Sequence, residues 1–354
     1  MGYDAVRAVL TEPVFSRAAA AAASAPRTGI GRLSAESLLG LDPPDHTRLR
    51  KVIAGAFTRQ RAERLRPRVR ELADELAGQL FMTPPPADLV SAFSLPLPVM
   101  IICELLGIPA RDRVFFHATS DVLVSGWTRD PVEVKQAFSD LSAYFAELIP
   151  VKRAEPRDDL LTTMVTAHDA DQQLSVNEVI LMAITLLVAG HETVAGQLSL
   201  FVLTLLDHPH ELQRLRGNPG LLANAVEELL RFIPLSDGAG ALVRVAVADT
   251  ELGGQHITAG DAVIPAIPAA NRDPAVFPDP DALDLTRTHV RHLSFGAGFH
   301  NCVGAHFARV ELQEALRAIL ERLPAGAHVP VDHSELECKT FVSLRSVREL
   351  PLSW

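Results

Sequence analysis

The pattern of apolar positions along the chain predicts a mostly helical protein. Leucine and valine recur at helical spacing over 60–81, with charged side chains between them, and three prolines at 84–86 end the segment. Further helices are predicted over 96–106, 110–125, 131–149, 175–206, 209–216, 219–232 and 303–323.

Strand signals are few and short. They lie at 241–248, 250–254 and 261–267, separated by glycine turns. Residues 268–292 are polar and proline-rich without periodicity, and a long irregular stretch inside a compact domain is usually functional or wraps the core. We therefore predict one mainly α domain with small β-sheets over residues 1–354.

The longest apolar segment, 179–206, is compatible with a membrane helix by length alone. His191 and Glu192 lie in its middle, where charge is costly in lipid, and no basic loops flank it. A helix that is apolar all round can instead cross the core of a large soluble protein. We predict that role for it.

The composition of the chain indicates which partners and which cellular location to expect. The 354 residues carry a formal net charge of −10, which argues against nucleic acid as the main partner. Three cysteines, at 103, 302 and 338, are too few for a disulfide framework, so a reducing, cytoplasmic location is expected. The first residues lack a basic region followed by an apolar core, so neither a signal peptide nor a membrane anchor is expected.

The segment 293–304, LSFGAGFHNCVG, places Cys302 among glycines. A dinucleotide fingerprint fails because Asn301 occupies the third glycine position. An inert buried cysteine leaves the glycines unexplained. A thiolate ligand of haem iron explains them, since glycines allow close backbone approach and the helix beginning near Val303 favours negative charge on the sulfur.

A zinc site is a further alternative for this segment. It lacks the paired C-x-x-C spacing of common structural zinc sites. Its candidate ligands are His292, His300, Cys302 and His306.

The sequence FGAGFHNCVG at 295–304 resembles the haem-binding signature of the cytochrome P450 family, F-G-x-G-x-H-x-C-x-G, and matches all six defined positions. The resemblance implies haem b with Cys302 as its axial thiolate ligand. It also implies cofactor contacts by Phe295, Gly296, His300 and Gly304, with Phe295 shielding the sulfur and His300 reaching a haem propionate.

Three other motifs precede the loop in the order that the family has. AGHET at 189–193 resembles its oxygen-binding motif, in which Ala189 and Gly190 leave room for haem and dioxygen while Thr193 and Glu192 organise proton delivery. Glu228 and Arg231 match E-x-x-R, a buried pair that an arginine from the irregular stretch completes; Arg287 is the candidate.

The third motif concerns the haem propionates. The segment LDPPDHTRLR resembles the family segment whose histidine and arginine bind them, which assigns His46 and Arg50. Arg244 matches a further propionate contact. A solvated helix face is the alternative for His46 and Arg50.

The resemblance covers nearly the whole chain and implies the cytochrome P450 fold, with haem between the long central helix and the helix that follows the cysteine loop. The segment beginning at Tyr3 resembles one that relatives carry several tens of residues into the chain. The usual N-terminal helix and first strands are therefore expected to be absent.

The implied activity is that of a haem-thiolate monooxygenase, which inserts one oxygen atom of O2 into an apolar organic substrate. A hydroxylase or epoxidase that tailors bacterial natural products is expected. Alternatives are a peroxide-using or non-oxygenating haem-thiolate enzyme, or a non-catalytic haem or ligand binder. The presence of Thr193 and Glu192 favours the monooxygenase over these alternatives, since peroxide users need no proton relay.

The expected partners follow from the same resemblance. A monomer that receives electrons from ferredoxin and ferredoxin reductase is predicted. Six arginines at 58–70 form a candidate docking face for an acidic ferredoxin, with a solvated helix face as the alternative. The substrate pocket is expected at 19–40, Val188, 236–242 and Phe341–Val342, by analogy of position.

Overall fold

The computed structural model describes residues 2–22, 35–124, 129–171, 174–235, 243–339 and 344–354, without the side chains of Val124 and Asp171. Within these residues the chain forms thirteen α-helices: α1 (Tyr3–Thr11), α2 (Arg17–Ala22), α3 (Asp45–Ala54), α4 (Arg59–Met82), α5 (Pro96–Leu106), α6 (Arg113–Val124), α7 (Pro131–Ala154), α8 (Leu160–Asp171), α9 (Val176–Asp207), α10 (Pro209–Gly217), α11 (Leu222–Phe232), α12 (Ile267–Ala270) and α13 (Ala305–Arg322).

The strands are short, as predicted, and form three small antiparallel sheets. Their bounds are β1 (Phe15–Ser16), β2 (Ala87–Asp88), β3 (Arg244–Ala246), β4 (Thr250–Leu252), β5 (Gln255–Ile257), β6 (Ala262–Val263) and β7 (Pro351–Leu352). The sheets have the orders β1-β3-β6, β2-β7 and β4-β5. In the first, Ser16 pairs with Val245 and Arg244 pairs with Val263, so the sheet joins the beginning of the chain to the strand that carries Arg244.

Most predicted helices are confirmed, with shifted ends. The helix predicted to stop at residue 149 continues through Pro150 to Ala154. Its last turn is anchored because Lys152, which is buried, donates from Nζ to the Gly107 carbonyl at 2.7 Å and to Asp159 Oδ2 at 2.5 Å. These contacts offset the backbone hydrogen bond that a proline removes.

The long apolar segment forms α9, which crosses the main hydrophobic core. Ser175 and Glu178 form a capping box at its start. By length and composition α9 could span a membrane, but 61% of its most apolar window is buried inside the molecule. Such burial is typical of a core helix and agrees with the prediction.

Helices α4 and α13 pack together through a cluster of charges. Glu314 of α13, whose side chain is 2% exposed, accepts from Arg66 and Arg70 of α4, each at 2.8 Å, and from Arg317 at 3.0 Å. Because α13 follows Cys302 directly, this cluster fixes the helix on which the cysteine loop depends.

Candidate functional site

The cysteine loop is closed by its own backbone. The Cys302 N–H donates to the Phe295 carbonyl at 2.8 Å, and the Asn301 side-chain amide donates to the same carbonyl at 3.2 Å. Gly298 has φ +70°, and a Cβ there would lie 2.6 Å from the Leu10 carbonyl oxygen of α1. Only glycine fits this left-handed position and this close approach.

The sulfur of Cys302 is placed where opposing electrostatic effects meet. The residue has accessible surface, but the surrounding protein removes most water from the sulfur and raises the pKa of the thiol. The Gly304 N–H, at the start of α13, and the guanidinium groups of Arg50 and Arg309 act in the opposite direction. Metal ligation requires the thiolate, and these groups favour it.

His46 and His300 form a buried pair with missing hydrogen bonds. Their ring centroids are 4.4 Å apart, and both nitrogens of His46 and Nε2 of His300 have no hydrogen-bond partner among the residues that the structure describes. Burial lowers the pKa of His300 to about 3, with Arg244 and His46 adding to the effect, so the ring is neutral. Buried nitrogens without partners are costly and call for a ligand.

Two buried arginines lie beside this pair. Arg17 follows β1 at the position next to Arg244 in the sheet register. Burial lowers the pKa of Arg17 to about 10 and that of Arg244 to about 9, while Asp42 favours the charged form of both. Two buried guanidinium groups beside the ring nitrogens of this pair suit an anionic ligand.

Arg50 has a different set of contacts. It lies one turn after His46 on α3 and donates from Nη1 to the Phe299 carbonyl at 3.0 Å. It therefore supports the cysteine loop directly and also contributes positive charge near the sulfur.

These residues fit haem b. Cys302 offers a sulfur ligand, the His46 and His300 nitrogens without a partner among the described residues offer donors, and the buried guanidinium groups of Arg17 and Arg244 suit two carboxylates. Sequence reasoning missed Arg17 and Asp42, because their positions become adjacent only when β1 pairs with β3.

The middle of α9 exposes one narrow face. Ala189 is exposed within an otherwise largely buried helix, and Thr193, one turn later, is partly buried. The Thr193 hydroxyl donates to the Ala189 carbonyl at 3.0 Å, a hydrogen bond back to its own helix. Gly190 instead faces α5, where a Cβ would lie 3.0 Å from Ile102 Cδ1.

His191 and Glu192 are both buried, and both have partners. His191 contacts the Leu187 carbonyl through Nδ1 at 2.8 Å and Ser120 Oγ of α6 through Nε2 at 3.3 Å; burial lowers its pKa. Glu192, 3% exposed, accepts from Lys339 Nζ at 2.7 Å. Glu192 is thus a buried carboxylate held by an ion pair and does not face solvent.

Lys339 was not found by sequence reasoning. Its N–H donates to the Ser346 carbonyl at 2.8 Å, which fixes its backbone, and its ammonium also lies 3.9 Å from Asp121 Oδ1 of α6. The lysine and Glu192 are 147 positions apart, so no local pattern links them.

The predicted buried triad is confirmed. Arg231 binds Glu228 through two hydrogen bonds of 2.7 Å, and Arg287 Nε lies 3.2 Å from Glu228 Oε1. Arg231 also donates to the Asn271 carbonyl at 3.0 Å. The Asn271 side chain in turn binds the Leu293 N–H at 2.8 Å, where the cysteine loop begins. The triad thus supports the loop through Asn271.

The arginine-rich face at 58–70, the candidate docking face, is largely neutralised by ion pairs. Four of its six arginines form ion pairs: Arg61 with Asp158, Arg66 with Glu63 and Glu314, Arg68 with Glu71 and Glu104, and Arg70 with Glu314. Arg59 and Arg64 are exposed.

The zinc alternative has no ligand set in the structure. Within the described part of the chain, no three His, Cys, Asp or Glu side chains come together as a metal site. Of the predicted substrate pocket, Val188 is partly buried, whereas 23–34 of the segment 19–40, all of 236–242 and both 341 and 342 lie outside the described residues.

Comparisons with known proteins agree with this geometry. A model of the family described as "Cytochrome P450" matches residues 124–325, more than half of the chain. Nocardicin C N-oxygenase of Nocardia uniformis subsp. tsuyamanensis is 44% identical over 353 residues, which are 99% of this chain and 88% of the relative.

Two further relatives also support membership of the same family. Mycinamicin IV hydroxylase/epoxidase of Micromonospora griseorubida is 44% identical over 352 residues, with coverage of 99% and 88%. The crystal structure of the LnmA cytochrome P450 hydroxylase from the leinamycin biosynthetic pathway of Streptomyces atroolivaceus S-140 superimposes with a TM-score of 0.92 at 42% identity, covering 100% of this chain and 89% of that one. The chain therefore belongs to the cytochrome P450 family and has its fold, its haem-thiolate cofactor and its monooxygenase activity.

Proposed function

We propose that this enzyme tailors a bacterial natural product, with Cys302 as the axial ligand of haem b and with His46, Arg50, Arg244 and His300 around the haem carboxylates. The observation that carries the assignment is the coincidence of the Cys302 loop with buried, unpartnered nitrogens on His46 and His300. Phe295, Gly296 and Gly304 shape the loop around the sulfur.

The haem, when bound, supplies the redox chemistry that activates O2 and inserts one of its oxygen atoms into the substrate. The chain supplies orientation and protons. Thr193 donates its own hydrogen to the Ala189 carbonyl, so its oxygen is left to accept a hydrogen bond from water. Glu192 holds negative charge next to it in α9, where Lys339 fixes the carboxylate.

The substrate class follows from the relatives and from the exposed α9 face. The names of the two enzymes compared above refer to nocardicin and mycinamicin, which supports a natural product as substrate. Ala189 presents a small apolar surface, which suits an apolar organic molecule. Hydroxylation or epoxidation is the reaction that we propose.

The enzyme takes electrons from a redox partner, and we propose a ferredoxin with its reductase. Arg59 and Arg64 of α4 are exposed and suit an acidic partner. We also propose a monomer of one domain over residues 1–354 that acts in the cytoplasm, where its three free cysteines remain reduced.

The ligand assignment is tested by the carbon-monoxide difference spectrum of the dithionite-reduced protein. We expect the red-shifted thiolate band in the wild type and its loss in Cys302→Ser. Haem titration of His46→Ala and His300→Ala should show weaker retention, because each variant removes a donor for a carboxylate. A thiolate band that persists in Cys302→Ser would refute the assignment.

The partner assignment needs a separate test. Reversal of charge in Arg59→Glu/Arg64→Glu should slow ferredoxin-driven turnover several-fold at low salt and leave peroxide-driven turnover unchanged. Arg111→Glu is the matched control, since Arg111 is 84% exposed but lies outside the arginine-rich face, two residues before α6 begins. Equal ferredoxin-driven rates in the double variant and the control would contradict the docking site.

A further inference from the structure

A charged pair adjoins the aromatic ring of the cysteine loop. The guanidinium carbon of Arg309 lies 4.4 Å from the centroid of the Phe295 ring. Arg309 occupies the second turn of α13, and its Nη1 also lies 3.3 Å from the Ala305 carbonyl. A cation over an aromatic face is attracted to it, so this contact fixes the orientation of the ring.

Glu227 of α11 holds the guanidinium in place. Two parallel hydrogen bonds of 2.7 and 2.9 Å join Arg309 Nε and Nη2 to the two carboxylate oxygens. Burial opposes ionisation of Glu227, but His292 and Arg309 outweigh it and lower its pKa to about 2, so the carboxylate is charged. His292 Nε2 lies 3.3 Å from Glu227, and the His292 ring lies 5.8 Å from that of Phe295.

Phe295 is thereby fixed from two sides. Its carbonyl accepts the Cys302 N–H at 2.8 Å, while its ring lies against Arg309. The positive charge of Arg309 also acts on the Cys302 sulfur and favours the thiolate. The pair thus controls both the packing and the charge beside the ligand atom.

We propose that the Glu227–Arg309 pair is a positioning device that sets how strongly the Cys302 thiolate donates electron density, and thereby sets the reduction potential of the bound iron. This inference rests on the proposed ligation by Cys302. Arg309 holds Phe295 and partly neutralises the sulfur, and Glu227 limits that neutralisation.

The proposal predicts shifts of opposite sign from the two halves of the pair. Glu227→Gln leaves Arg309 uncompensated, and the added positive charge stabilises the reduced, more negative iron–thiolate unit. Arg309→Gln leaves Glu227 uncompensated and has the reverse effect. We expect the equilibrium constant for one-electron reduction to change about threefold to tenfold in each case, tenfold being about 59 mV.

The measurement is a dye-mediated titration of the purified holoenzymes with dithionite, without a protein partner. Arg309→Lys restores the charge and should recover most of the shift of Arg309→Gln, although it loses the planar contact with Phe295. The double variant Glu227→Gln/Arg309→Gln should return close to the wild-type potential.

A matched control lies on the same helix. Arg322 of α13 pairs with Asp74 at 2.9 Å, with side-chain exposures of 32% and 34% against 30% and 25% for Arg309 and Glu227. It is about 20 Å further along the axis. Arg322→Gln and Asp74→Asn should therefore leave the potential unchanged.

The outcomes separate the two proposals. Shifts of the same sign, or no larger than those of the control pair, would overturn the role of Glu227–Arg309 while a red-shifted carbon-monoxide band keeps Cys302 as ligand. A wild-type protein without that band would instead overturn the ligation. If one single variant fails to fold, the sign of the shift in the other single variant, set against the near-wild-type potential expected of the double variant, still tests the proposal.

Discussion

At the scale of single residues, Gly190 has a packing role that its motif does not indicate. The oxygen-binding motif suggests room beside the haem, but the position where Gly190 would carry a Cβ faces α5. There the added atom would lie 3.0 Å from Ile102 Cδ1 and 3.1 Å from Ile102 Cγ1. The glycine allows α5 and α9 to approach closely.

We predict that Gly190→Ala lowers the stability of the holoenzyme by about 1 kcal/mol, because overpacking outweighs the gain in helix propensity. Ile102→Val removes the terminal methyl that the new Cβ would meet. In the Ile102→Val background the approach to Cδ1 is gone and only the 3.1 Å approach to Cγ1 remains, so Gly190→Ala should be less destabilising there. Thermal unfolding of the four proteins measures this coupling.

The result also separates packing from a role beside the substrate. If Gly190→Ala destabilises equally in both backgrounds, Ile102 is not the group that restricts this position. Helix propensity alone would make the substitution stabilising in both.

At the scale of elements, Lys339 ties the C-terminal segment to α9 and α6. Its ammonium binds the buried Glu192 carboxylate at 2.7 Å and lies within 4 Å of Asp121. Truncation of one partner leaves a buried charge uncompensated, which costs far more than the net worth of the pair.

We predict that Lys339→Met lowers the free energy of unfolding by about 3 kcal/mol when Glu192 is present. In the Glu192→Gln background the same change should cost much less. The second readout is the fraction of electrons that end in product, which should fall in Lys339→Met because the carboxylate next to Thr193 loses its fixed position.

Asp121→Asn is the control for this prediction. It removes the more distant carboxylate, which is partly exposed, and should change both readouts little. Additive effects of Lys339→Met and Glu192→Gln on stability would show that the two residues do not interact.

The helices also show how well the local sequence pattern predicts secondary structure. Long periodic helices such as α4 and α9 were predicted within a few residues, because burial of one face or of the whole helix leaves a clear signature. Helix α8 was missed: its LLTTMVTAHDAD sequence is rich in threonine and aspartate, and packing rather than propensity stabilises it.

The residues of the candidate site likewise divide into those that the sequence predicted and those that it did not. Cys302 and the motif residues were found because each lies in a recognisable local sequence, and Arg287 because the family resemblance implies an arginine from the irregular stretch. Arg17, Arg309 and Lys339 act through partners far away in the chain, and two-residue strands such as β1 carry no pattern of their own. Contacts of this kind become visible only in three dimensions.

At the scale of the whole molecule, the cysteine loop depends on α13, and α13 depends on α4. Glu314 is the point at which the two helices share charge, with Arg66 and Arg70 from one side and Arg317 from the other. Burial opposes ionisation of Glu314, but the hydrogen bonds from Arg70, Arg66 and Arg317 together lower its pKa to about 2.

This lowered pKa has a definite consequence for acid stability. An unfolded glutamate has a pKa near 4.5, so ionised Glu314 stabilises the folded protein fully above that pH. The contribution must disappear as the pH falls from about 4.5 towards 2, since the carboxylate is then protonated in both states.

We predict that Glu314→Gln lowers Tm by roughly 5 °C at pH 7 and that the difference shrinks over this window. Glu321→Gln, which removes an exposed partner of Arg317, should change Tm little. A difference between wild type and Glu314→Gln that stays constant from pH 7 to 3 would show that the glutamate acts through packing, and that α13 is held to α4 without its charge.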